Sequence, residues 1–127
     1  TRQDNFKRQC KFFLKHSQFF LNPIEASDFD TAWLAFPILI KADAPFSRRE
    51  FQIYLEERNI QTRVVFTGNV LRQPMTRNIE KRVRSGGYPN ADAVMARGVL
   101  LPLHHGLTES MFSRFQDTVD TFVAQYV

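Results

Sequence analysis

The sequence predicts an α+β fold: a small antiparallel or mixed three-stranded sheet covered by helices. Three observations carry that reading. Residues 61–66 alternate as a strand does. Residues 99–103 form a short apolar run, and Met111, Phe112, Phe115, Val119, Phe122, Val123 and Tyr126 recur at the spacing of one helix face. Strand and helix signals succeed one another along the chain, the pattern of a layered sheet and helices. With 127 residues, 43% of them apolar and 13 phenylalanines, the chain fills one modest core and reads as a single domain, 1–127.

Each element has its own signal. Over residues 4–15, Phe6, Cys10, Phe13 and Leu14 share one helical face opposite lysines and arginines. Asn22-Pro23 breaks the chain after this helix, and residues 33–41 read as an apolar strand in which Pro37, lacking an N–H, belongs at an edge or a bulge. Ser47 and Glu50 form an S-x-x-E capping box, and Phe46 and Phe51 stand at the positions of a hydrophobic staple, so a helix starts at 48 with Phe51, Tyr54 and Leu55 buried. The next strand, 61–66, should send Val64 and Phe66 to the core and Arg63 and Val65 to the other face. More than twenty aperiodic residues come next, and loops that long are usually functional or disordered. Asn90 is placed to cap a short helix over 91–97 that ends at Gly98, and Thr108 to cap the last helix.

Composition excludes several classes. No apolar run approaches the roughly 20 residues that span a bilayer, and no signal-peptide pattern opens the chain, so a cytoplasmic protein is expected. The single cysteine, Cys10, cannot form an internal disulfide and reads as a small core residue in a reducing compartment. The chain opens at Thr1 in a charged helical pattern, which suggests a piece of something longer. The net charge of +4 is mild, and much of it lies in Arg77, Lys81, Arg82 and Arg84. That basic loop attracts anions without selecting one. His16, His104 and His105 have no metal-ligand spacing, and no nucleophile elbow or phosphate loop is present, so neither a metal site nor a catalytic residue is assigned to this chain.

The candidate binding site is the run Gln61-Thr-Arg-Val-Val-Phe-Thr-Gly-Asn-Val-Leu-Arg-Gln-Pro74, where a strand enters a polar turn carrying Arg63, Asn69 and Arg72. Guanidinium groups fixed near a turn suit a phosphate or carboxylate, although ordinary solvated arginines give the same spacing. His104 and His105 lie just past the third strand, where strand ends commonly present functional groups.

These segments, with Trp33-Leu-Ala-Phe-Pro-Ile38, Tyr88-Pro-Asn-Ala-Asp-Ala-Val-Met95 and Leu101-Pro-Leu-His-His-Gly-Leu-Thr108, resemble the C-terminal small domain of the DegT/DnrJ-type sugar aminotransferases over nearly the whole chain. The T-R-x-x-F-x-G-N-x-x-R-Q-P pattern is most similar to the branch of 4-keto-6-deoxy-hexose 3-dehydratases. The resemblance implies a fold type I pyridoxal 5'-phosphate (PLP) enzyme acting on nucleotide-linked sugars, in which a large N-terminal domain, absent here, holds the cofactor. It also implies a homodimer, a nucleotide-sugar substrate and glutamate as a possible amino donor. Arg63, Asn69, Arg72, His104 and His105 become substrate-binding candidates; at His105 the family often has proline. In that branch histidine replaces the cofactor-binding lysine of the aminotransferases, so the resemblance implies a 3-dehydratase or an aminotransferase according to whether histidine or lysine stands at that position upstream. The alternative from another class is a freestanding basic module for nucleic acid, against which stands the lack of any aromatic residue between Arg77 and Arg84.

Overall fold

The computed structural model describes residues 1–26, 28 and 30–127. Its elements are α1 (Arg2–Leu14), β1 (Phe20–Leu21), β2 (Phe36–Ile40), α2 (Arg48–Glu56), β3 (Arg63–Val64), α3 (Pro89–Arg97), β4 (Gly98–Leu101) and α4 (Glu109–Val123). The sheet has four strands in the order β1-β2-β4-β3, every pair antiparallel. The added strand, β1, pairs only Phe20 with Ile40 and Leu21 with Leu39. A two-residue strand has no alternation to read, which is why three strands were expected. Pro37 lies in an inner strand, but β1 has already ended there, so that side of β2 is a local edge.

The helices start as their caps dictate. The Ser47 side chain accepts from the Glu50 amide at 3.2 Å, and the Glu50 carboxylate accepts from the Ser47 amide at 2.7 Å, a complete capping box. The Phe46 and Phe51 rings close the staple at 6.3 Å between centroids. Thr108 caps α4 by accepting from the Met111 amide. At α3 the expected cap fails: Tyr88 occupies the N-cap without a side-chain bond and Pro89 is the first helical residue, its fixed φ doing what Asn90 was expected to do. Gly98 is extended, with φ −78, and leads directly into β4. An added Cβ there would lie 2.6 Å from the Val94 carbonyl oxygen and 2.8 Å from Val65, so close packing is what requires this glycine.

Eleven phenylalanines are buried; of the other two, Phe66 is exposed and Phe29 lies outside the described residues. Phe6, Phe12 and Phe13 of α1 meet Phe36, Phe20 and Phe115, while Phe46 and Phe51 meet Phe122 of α4, mostly in tilted or edge-to-face arrangements. Leu14 and Met111 do not join this core: both are exposed, and Phe12 takes the place expected of Leu14. Cys10 is only half-buried, packed against the core from outside. No helix among the described residues is long and apolar enough to cross a membrane.

Phe51 is fully buried and touches Phe20, Phe46 and Phe122. Phe51→Ala should destabilise the fold by about 3–5 kcal/mol, measured by denaturant unfolding. A cost below about 1 kcal/mol would mean that the ring is not part of a close-packed core.

Candidate functional site

The register of the sheet sets where Arg63 points. Pro37, Leu100 and Arg63 stand opposite one another across β2, β4 and β3, and Ile38, Val99 and Val64 form the next row. Ile38 and Val99 are buried, so the Val64 row faces the core and the Arg63 row faces away from it. Val64 is nevertheless half-exposed, because β3 is a two-residue edge strand with nothing beyond it. Phe66 departs further from expectation. Its φ of 46 breaks the alternation, its amide turns back to the Val64 carbonyl at 2.9 Å, and the residue is 74% exposed.

Arg63, Val64 and Phe66 line the β3 edge of an open groove of about 660 Å³, Val64 from the core-facing side of the strand and Arg63 from the other. Met111 and Phe115 of α4, with His104 and Gln9, also line it. Arg63 makes no side-chain hydrogen bond or ion pair among the described residues, which leaves its guanidinium free for an anion. Two buried amides of α1 fix the chain beyond β4: Asn5 donates to the His104 carbonyl and Gln9 to the Pro102 carbonyl, both at 3.1 Å. The remaining Gln9 oxygen, Oε1, is buried with no partner. The His104 ring accepts the Gly106 amide on Nδ1 at 3.2 Å, an arrangement that places the proton of the neutral ring on Nε2 as a donor. His105 is exposed on the same turn and does not line the groove.

Asn69 and Arg72 do a different job. Asn69, 5% exposed, donates to Asp92 Oδ1 at 2.7 Å and accepts the Leu71 amide at 3.0 Å, capping the short 3₁₀ turn Val70–Arg72. Arg72 grips the same carboxylate with two hydrogen bonds, 3.0 and 2.9 Å long. Gly68, at φ 62, lies against Met95 so tightly that a Cβ would come within 2.4 Å of the Met95 Cβ. The turn from 66 to 72 is thus laid on α3. That helix is anchored in turn by Arg48, donating to the Met95 carbonyl at 2.6 Å, and by Arg97, donating to the Ile40 carbonyl at 2.7 Å. Of the five expected site residues, Arg63 and His104 share the groove, Asn69 and Arg72 fasten the turn beside it, and His105 stands apart. Sequence reading missed Asp92 and Phe66. Asp92 sits twenty residues from Arg72, and the only signal for it was an acid within a long basic stretch.

Among the described residues no group of three or more His, Cys, Asp or Glu is placed to hold a metal ion. The hydrogen bonds from Arg72, and next the one from Asn69, lower the Asp92 pKa to about 2, against about 3.9 for an unconstrained aspartate. Because the folded value is the lower one, this stabilisation is fully present above about pH 4 and is lost as pH falls toward 2. Wild type should therefore melt above Asp92→Asn near neutral pH, with the gap closing between about pH 4 and about pH 2. A gap that persists unchanged to the acid limit would show that the charge does not hold the turn. Gly68→Ala should cost more than about 1 kcal/mol from its backbone conformation alone, with the Met95 contact added; unchanged unfolding in denaturant would contradict the close approach.

The DegT/DnrJ/EryC1/StrS aminotransferase family model matches residues 1–120. The chain is 33% identical over 105 residues to dTDP-4-dehydro-2,6-dideoxy-D-glucose 3-dehydratase of Saccharopolyspora spinosa, covering 83% of this chain and 22% of that protein. It is 30% identical over 120 residues to lipopolysaccharide biosynthesis protein RfbH of Salmonella typhimurium, covering 91% of this chain and 27% of that one. In fold it is similar to E. coli GDP-4-keto-6-deoxy-D-mannose-3-dehydratase with bound hydrated PLP, with a TM-score of 0.78 at 20% identity over 92% of this chain and 29% of the other. The chain thus spans about a quarter of the length of these relatives. A match over nearly all of its residues, on a sheet and helices of the same arrangement, means that the chain belongs to the DegT/DnrJ/EryC1/StrS aminotransferase family.

Proposed function

We propose that these residues are the C-terminal small domain of a PLP-dependent enzyme that modifies nucleotide-linked 4-keto-6-deoxy sugars in deoxysugar or lipopolysaccharide biosynthesis, with loss of the 3-hydroxyl favoured over amino transfer. The observation that carries this reading is the unpaired Arg63 in the groove, within the segment that most resembles the dehydratase branch. Of the two sequence relatives, the 3-dehydratase supports loss of the 3-hydroxyl and the lipopolysaccharide biosynthesis protein supports the biosynthetic setting. In this reading the Arg63 guanidinium binds the anionic part of the sugar nucleotide, and His104 Nε2–H donates to a substrate oxygen. Asn69 and Arg72 hold the turn that carries the groove wall; the Arg72 donors left after its two bonds to Asp92 face solvent and extend the anion-binding surface.

The groove residues do not fit PLP by themselves. Among the described residues that line the groove there is no lysine to bond the aldehyde and no carboxylate to pair with the ring nitrogen. The cofactor of this reading is therefore held by a large domain upstream, and its electron-sink chemistry lies outside these 127 residues. The same reading makes the intact protein a cytoplasmic homodimer, with glutamate as amino donor if nitrogen is transferred and with histidine favoured over lysine at the cofactor-binding position. The nucleic-acid alternative has less in its favour: Arg72 is paired with Asp92 and the Lys81 ammonium with the Thr76 carbonyl, and the basic loop offers no aromatic platform.

Three outcomes are expected. The isolated chain, supplied with PLP and substrate, should be folded yet give no turnover and no cofactor adduct that survives dilution; robust turnover would sink the reading. In the intact protein Arg63→Ala should lower kcat/KM by roughly one to two decades, the worth of a charge-assisted contact, with little change in melting temperature. A large drop in melting temperature with unchanged kinetics would make Arg63 structural. Given a nucleotide-linked 4-keto-6-deoxy hexose and glutamate, the intact protein should yield a product lacking the 3-hydroxyl. A product that keeps this hydroxyl and carries nitrogen from glutamate would move the function to amino transfer.

A further inference from the structure

Phe66 is the one described phenylalanine outside the core, and its backbone conformation is one that residues with bulky side chains rarely adopt. Strain of this kind persists only where the surroundings fix it, and it gathers at ligand clamps. Here the surroundings do fix it. On one side the Phe66 amide closes a three-residue turn onto Val64. On the other, the Gly68 amide donates to the Val65 carbonyl at 3.1 Å and the Gln73 side chain donates to the Thr67 carbonyl at 2.8 Å. Beyond that, Gly68 is pressed on Met95, and Asn69 and Arg72 are tied to Asp92. The result is a rigid turn that holds an aromatic ring out in the groove.

We propose that Phe66 stacks on the nucleobase of a nucleoside diphosphate whose phosphates are bound by Arg63. This rests on the proposed function for the nucleotide and adds the residue that receives its base. Two features of the groove converge on such a ligand. The exposed ring offers a π-face that accepts any base, and Arg63, unpaired among the described residues and lining the same groove, suits a phosphate. An apolar protein segment covering Phe66 and Arg63 would strand the guanidinium charge, which is why the small anionic ligand is the better occupant.

The test uses the full-length protein, with TDP and GDP as probes in calorimetric titrations of wild type, Phe66→Gly and Phe66→Trp. Glycine accepts the left-handed backbone without strain and removes the ring, whereas tryptophan keeps a stacking face. Phe66→Gly should bind both diphosphates roughly ten- to a hundred-fold more weakly, with a melting temperature no lower than wild type and an unaltered PLP absorption spectrum. Phe66→Trp should bind near wild-type strength. Unchanged diphosphate affinity in Phe66→Gly overturns the inference while leaving the proposed function standing. Accompanied by a lower melting temperature, that result assigns the ring to a protein contact; accompanied by an altered PLP spectrum, it assigns the ring to the cofactor. Failure of wild type to bind either diphosphate overturns the inference and the proposed function together.

Discussion

One carboxylate holds the site segment in place. Asp92 accepts three hydrogen bonds, two from Arg72 and one from Asn69, and so ties the turn after β3 to the first part of α3. β3 itself pairs only two residues, too few to fix the turn that leaves it, and the stretch beyond Thr76 has no regular element until Pro89. Without the clamp the wall carrying Arg63 and Phe66 would hang from an edge strand. With it, the wall is continuous with α3 and through Arg48 and Arg97 with the body of the sheet. Gly68 belongs to the same constraint, since only a residue without a Cβ lets the turn lie this close to Met95.

The division of labour among the site residues comes from charge and exposure. An arginine already engaged by a bidentate carboxylate has its charge largely matched, whereas one with no partner offers its full hydrogen-bonding fork. Arg72 is the first kind and Arg63, among the described residues, the second. His104 joins Arg63 because Asn5 and Gln9 of α1 fix the carbonyls of the 102–104 segment, so the first helix of the chain positions a residue near its far end. The groove is thus assembled from α1, β3, the β4 exit and α4, which gives it a preformed shape.

The helices were legible in the sequence because caps and apolar stripes are local signals. Ser47 with Glu50, Thr108, and the Phe112 to Val123 stripe all act as the residues alone indicate. Strands were less legible in proportion to their shortness: β1 has two residues, and β3 has two where six were expected. Phe66 was misplaced because alternation assumes extended backbone, and the positive φ that turns its ring outward is imposed by Gly68 and the clamp beyond it. Arg63 was placed on the correct face because it lies inside the part that is extended. The partnership of Asn69 and Arg72 with Asp92 joins residues about twenty positions apart across an aperiodic loop, a distance over which spacing carries no information.

The claim that the site wall is held by Asp92 is tested most directly by amide hydrogen exchange. The Leu71 amide donates to Asn69 Oδ1 and the Gly68 amide to the Val65 carbonyl, so both report on the docked turn. Wild type should protect these two amides relative to the exposed residues 79–86. Asp92→Asn should abolish that protection while leaving the amides of α4 unchanged. Protection at Leu71 and Gly68 that survives the substitution, or that is lost equally in α4, would contradict the account.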